Sequence, residues 1–152
     1  NFFFVALGGA AGACGRYAIS LIPVKTQFPV LTLVTNFLGA VLIGFVVGIA
    51  ENKNVSKNAI LFLKTGVCGG FTTFSTFSLE AYNLFMTKNY GLCGLYVFLS
   101  VAGCIAGAGS GKKSIFNSKN LSQKITATFL VILAVYNVNQ IICCYALRCE
   151  IT

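Results

Sequence analysis

Apolar residues in this chain fall into long runs separated by short polar stretches. Crossing the hydrocarbon core of a bilayer takes about 20 mostly apolar residues. Four runs meet or nearly meet that length: residues 2–22, 30–50, 59–86 and 90–108. A fifth, residues 125–147, is long enough but carries Asn137, Asn139 and Gln140 near its middle. Pro23 and Pro29 punctuate the first connection, residues 51–57 make the second, and Lys88-Asn89 makes a tight third turn. Residues 109–124 read as a polar, basic linker. The pattern predicts an all-α membrane protein with four transmembrane helices, the fifth apolar segment being a candidate additional helix.

The third run is too long for one straight helix, and its polarity is unusual. Residues 69–78 hold two glycines, five hydroxyl residues and three phenylalanines, with no charge. Irregular backbone at membrane depth is tolerated only where it is buried in protein or lines a wet cavity. A helix broken at Gly69-Gly70 and resumed after the Thr/Ser run is therefore expected, with carbonyls and N–H groups free to coordinate ions. The alternative is a tilted helix whose hydroxyls bond back to their own turn. Five hydroxyls beside a Gly-Gly pair favour the break. Small residues also recur at helix-contact spacing, at Gly8 and Gly12, Gly44 and Gly48, and Gly103, Gly107 and Gly111. Such spacing permits close backbone approach and says little about function. Four helices enclose little volume, so a pore is expected to need a second copy.

Composition agrees with lipid as the solvent. The 152 residues are 57% hydrophobic and 9% charged, with a mean hydropathy of +0.84, whereas soluble domains are about a quarter charged. The net charge of +8 comes from 11 basic and 3 acidic residues. Most lysines flank apolar runs and no basic-aromatic stripe is present, so headgroups and topology are the expected partners, not nucleic acid. With alternating crossings, one side carries Lys53, Lys57, Lys64, Lys112, Lys113, Lys119 and Lys124. The other carries Lys25, Lys88 and Arg148, with Arg16 nearby inside the first run. The bias predicts a multi-pass protein of the cell membrane (plasma or inner) with a cytoplasmic N-terminus. Seven cysteines form no CxxC pair and histidine is absent, which argues against a zinc site and for cysteine as a small packing residue. The first residues show neither a basic n-region nor a small-residue cleavage site; the sequence opens at Asn1 without a methionine, and residues upstream are left open.

Several motifs converge on one family. They are Gly8-Gly9 with Gly15-Arg16-Tyr17, then Thr32-Leu33-Val34-Thr35-Asn36-Phe37-Leu38-Gly39, and a long block from Gly66 through Gly69-Gly70-Phe71-Thr72-Thr73-Phe74-Ser75-Thr76-Phe77-Ser78 to Glu80. Tyr96-Val97-Phe98-Leu99-Ser100 and the following glycines extend them. Over about residues 4–110 the chain resembles the Fluc fluoride channels, also called CrcB. The resemblance implies a passive fluoride exporter that assembles as an antiparallel dimer, with a structural sodium ion where the broken third helices meet. It implies a channel domain over residues 1–110, followed by the linker (111–124) and the additional apolar helix (125–147).

The same resemblance assigns roles to residues. Asn36, Thr32, Ser75, Thr76, Tyr96 and Ser100 would offer N–H and O–H donors along the fluoride path, replacing the water of a strongly hydrated anion. Phe74 and Phe77 match the paired phenylalanines that line the path, where positive ring edges attract an anion. The sodium ligands would be the main-chain carbonyls of Gly69 and Thr72, oxygen donors suited to a hard cation. Arg16 would draw anions into the vestibule, as an ionisable residue inside a span suggests, with snorkelling as the alternative. Glu80 would pair with a basic residue, orient water at the pore mouth, or mark the end of the third helix. Two departures stand out: Leu31 where the family usually has glycine, and Cys104 one turn beyond Ser100 where some members would place a hydroxyl.

Dual-topology subunits need nearly balanced charge, and this chain is biased. Its partner in an antiparallel pair is thus either an identical chain or an oppositely oriented homologue or repeat. A non-conducting structural half of a two-repeat fluoride exporter is the alternative within the family. Outside it, a small multidrug-type exporter would call for a carboxylate in the first span, which has Arg16 and no acid. An enzyme would need a base and nucleophile, yet the only acids are Glu51, Glu80 and Glu150. A purely structural subunit would not explain the hydroxyl-rich third run.

Overall fold

A computed structural model describes residues 1–52 and 55–117. The candidate fifth helix, residues 118–124 of the linker, Lys53, Lys119, Lys124 and Arg148 lie outside the described residues. Within them the fold is entirely helical. α1 spans Phe2–Ser20 and α2 spans Val30–Asn52. A third helical stretch follows in three pieces: α3 (Lys57–Ile60), a π-helical segment (Leu61–Cys68) and α4 (Gly69–Phe71). After two extended residues come α5 (Phe74–Met86) and α6 (Tyr90–Asn117). Three of these helices are long and apolar enough to cross a membrane: Phe2–Ser20, Val30–Glu51 and Tyr90–Phe116.

Local chemistry marks the boundaries. Ser56 caps α3 by accepting the Ala59 N–H at 3.2 Å, which satisfies one of the donors a helix start leaves orphaned. At the α5–α6 turn, Lys88 adopts a left-handed backbone (φ 61°), and the Asn89 N–H reaches back to the Leu84 carbonyl at 3.0 Å. This closes the last turn of α5 in the manner of a helix C-terminal motif.

Two helix pairs make the body of the protein. α1 lies against the π segment and α4, while α2 lies against α6. Glycine sets both approaches. A side chain at Gly8 would strike the Phe62 carbonyl and the backbone of Gly66; one at Gly12 would strike the Val67 carbonyl and the Phe71 amide. Between α2 and α6, Gly44 meets the Ala108 carbonyl and Gly111 meets the Val41 carbonyl. Backbones this close gain dispersion contacts that larger residues would block, and lipid offers no hydrophobic drive to replace them. Ile19 and Phe71 form a buried cluster closed by Ala18, Ile22, Leu31 and Leu38. Apolar side chains such as Phe98, Ile105 and Phe116 point outward, as a lipid-facing surface requires.

Two features differ from the pattern read along the chain. α6 continues through Gly111-Lys112-Lys113 to Asn117, into the stretch whose polarity suggested a linker. Packing explains it: Gly111 sits on α2, and Ile115, only 1% exposed, fits beside Gly48. The second difference is where the third run leaves the helix. Gly69 and Gly70 are helical, and the departure comes at Thr72 and Thr73. Gly70 serves close packing instead, since a side chain there would strike the Gly9 carbonyl of α1.

Candidate functional site

The extended pair Thr72-Thr73 is the centre of the polar region. Thr72 has φ −81° and ψ 153°, and Thr73 has φ −144° and ψ 118°. The last bonds of α4 both go to one carbonyl: the Thr72 N–H and the Thr72 hydroxyl donate to Cys68 O at 3.1 and 2.9 Å. Thr73 then turns away from the helix. Its N–H donates to Asn36 Oδ1 at 2.8 Å, and its carbonyl accepts from Asn36 Nδ2 at 3.0 Å. The Asn36 amide thereby pairs with the Thr73 peptide as a neighbouring strand would, satisfying both groups that the helix released.

Thr73 also starts α5. Its hydroxyl accepts the Thr76 N–H at 3.2 Å, donates to the Thr76 hydroxyl at 3.1 Å and lies 3.2 Å from the Ser75 hydroxyl. Two of the hydroxyls expected along an anion path, Ser75 and Thr76, are thus engaged with the cap. Arg16, half-buried on α1, donates from Nε to the Gly70 carbonyl at 3.3 Å. A cation at the carbonyl end of a helix is favourably placed.

A second cluster lies further along α5. Glu80 receives the Thr32 hydroxyl at 2.9 Å on one oxygen and the Tyr96 hydroxyl at 2.7 Å on the other. Tyr96 is fully buried and Thr32 nearly so. Among the described residues Glu80 thus pairs with two hydroxyls, from α2 and α6, and with no basic residue. Ser100, one turn beyond Tyr96, has a buried hydroxyl without a hydrogen-bond partner among the described residues. Beside Glu80 opens a basin of about 470 Å³, bordered by Pro29 and Leu84 as well as by Gln27, Asn83 and Thr87.

Aromatic rings join the two clusters. Phe74 and Phe77 lie 5.5 Å apart between ring centroids, Phe77 lies 5.2 Å from Tyr96, and Tyr96 meets Phe28 edge-on at 5.7 Å. Phe74 is 79% exposed and opens onto a groove of about 360 Å³ that also borders Asn36, Gly69, Thr72 and Thr73. The sequence reading missed Thr73 and Phe28. Thr73 carried a signal, a threonine three residues before Thr76 at the start of a helix, which is an N-cap pattern. Phe28 lies in a connection and carried none.

These features define a multi-pass, all-helical membrane protein whose polar groups gather where one helical stretch is interrupted. The chain belongs to the CrcB family: residues 3–112 match the family described as CrcB-like protein, Camphor Resistance (CrcB). A relative from Azobacteroides pseudotrichonymphae named Fluoride-specific ion channel FluC is 41% identical over 109 residues, covering 68% of this chain and 87% of that one. The relative of the same name from Ruminiclostridium cellulolyticum is 42% identical over 120 residues, 74% of this chain and 89% of its own. A third, from Ruegeria, is 46% identical over 111 residues, 70% and 87%.

Proposed function

We propose that this chain is a fluoride-selective channel that lets cytoplasmic fluoride leave the cell passively. The function is conduction, not catalysis. The observation that carries it is the Asn36–Thr73 clasp at the interruption, flanked by Phe74 and Phe77. An amide nitrogen has two N–H donors, and Asn36 gives one to Thr73, leaving the other for an anion. The N-terminus of α5 adds a positive dipole end at the same place, and the ring edges of Phe74 and Phe77 add attraction without an exchangeable proton. Beyond them the unpartnered Ser100 hydroxyl is a further donor, while Tyr96 and Thr32 border the path with their protons given to Glu80 and Ser75 and Thr76 hold the cap that positions Phe74. Arg16, on the Gly70 carbonyl, and Glu80, held by Thr32 and Tyr96, are charged groups beside this path.

The groove that exposes Phe74, Gly69 and Thr72 supports an antiparallel dimer, because polar backbone facing lipid needs cover. A sodium ion fits the donors at the interruption. The Thr73 N–H that would have bonded the Gly69 carbonyl goes to Asn36 instead, so Gly69 keeps a carbonyl for a hard cation, and extended Thr72 offers another. When bound, the ion would join the two copies by their main chains. The lysine bias supports an N-terminus in the cytoplasm, with either an identical chain or an oppositely oriented homologue as partner.

Efflux from liposomes, read with a fluoride-selective electrode, tests the function. The reconstituted chain is expected to release fluoride and retain chloride. No efflux, or equal loss of both ions, overturns the proposal.

A further inference from the structure

The groove beside the interruption contains one charged side chain among the described residues, Lys64. Lys64, Cys68 and Thr72 follow at four-residue spacing and all border the groove, opposite Asn36 and Gly39 of α2. Lys64 is exposed and lies near the start of the apolar run that begins at residue 59, at the edge of the span. An ionisable group bordering a cavity within or at the edge of a span is a functional candidate. No carboxylate pairs with it among the described residues, where the ion pair is Lys112 with Glu51. The other groove walls offer amide, hydroxyl, thiol and apolar groups.

We propose that Lys64 is an anion-collecting residue, its charge raising the fluoride concentration at the groove that leads to Asn36 and Thr73. This rests on the channel reading. A concave wall of low dielectric focuses the field of a single charge and speeds the capture of an opposite one. Snorkelling of the same ammonium to a headgroup is the competing fate. It would leave the groove without that field.

The test is efflux from zwitterionic vesicles at fluoride well below saturation, comparing the parent with Lys64→Gln and Lys64→Arg. At an ionic strength of about 10 mM the screening length is about 30 Å, and at about 1 M it is about 3 Å. Lys64→Gln is expected to slow efflux roughly three- to tenfold at low salt and less than about twofold at high salt, while Lys64→Arg keeps the parent rate. Equal rates at low salt, or the same loss at both salts, overturn the proposal. If the parent itself conducts nothing, the channel reading fails first. Broadening of the fluoride 19F NMR line by the purified chain then decides the role of Lys64. Broadening that Lys64→Gln weakens only at low salt supports it, and identical broadening refutes it.

Discussion

Replacing Asn36 by aspartate separates the two tasks that this side chain performs. The substitution keeps the acceptor for the Thr73 N–H, now charged, and removes the donor to the Thr73 carbonyl, bonds of 2.8 and 3.0 Å in the parent. One orphaned carbonyl costs about 1–3 kcal/mol, within the range that a fold ordinarily absorbs. The effect on an anion is larger. A carboxylate about 5 Å from a passing fluoride, at an effective dielectric of about 20, opposes it by about 3 kcal/mol. That slows flux by about two orders of magnitude. Asn36→Asp should therefore assemble like the parent by size-exclusion chromatography and lose fluoride efflux from liposomes. Asn36→Leu should lose more stability than Asn36→Asp, because it abandons both Thr73 groups. Efflux by Asn36→Asp within about threefold of the parent, or an Asn36→Leu variant that outlasts it on heating, would refute the reasoning.

Other substitutions probe separate links. Phe74→Ile is expected to abolish efflux while leaving the stability of the single chain nearly unchanged, since Phe74 is 79% exposed there; a large fall in the thermal stability of the dissociated chain would instead make Phe74 a packing residue. Gly12→Ala places a methyl against the Val67 carbonyl and 2.8 Å from the Phe71 amide nitrogen. Backbone cannot step aside, so a loss of about 1–3 kcal/mol is expected by thermal unfolding in detergent. Gly69→Ala meets open space and should change monomer stability by less than about 0.5 kcal/mol. Exchanging sodium for a bulky organic cation should lower the thermal midpoint of the assembled protein; an unchanged midpoint would remove the cation from the Gly69 and Thr72 carbonyls.

The apolar runs were legible because hydrocarbon imposes length and composition directly, and α1, α2 and α6 follow those runs. The interruption was legible as an event but not as a position. Glycine weakens a lone helix, which drew attention to Gly69-Gly70, yet Gly70 earns its place by lying on Gly9 of α1. What ends the helix is Asn36, 37 residues earlier in the chain. No local propensity reports such a partner. Glu80 was ambiguous for the same reason, as its two donors come from α2 and α6. The extension of α6 to Asn117 was hidden by Lys112 and Lys113, whose charge masked the burial of Ile115 against α2.

The π-helical segment bears on how this chain tolerates changes in length. Wide turns hold more residues per turn than α-helical ones, so Leu61–Cys68 carries slack that the other helices lack. In an α-helix, losing one residue rotates everything beyond it by about 100°, which would swing Thr72 away from Asn36. Here the loss of one residue between 61 and 65 can be taken up by tightening the turn, while Gly66 stays against Gly8. The half-span leading to the interruption is thus a place where evolution can insert or delete a residue and keep the site beyond it in register.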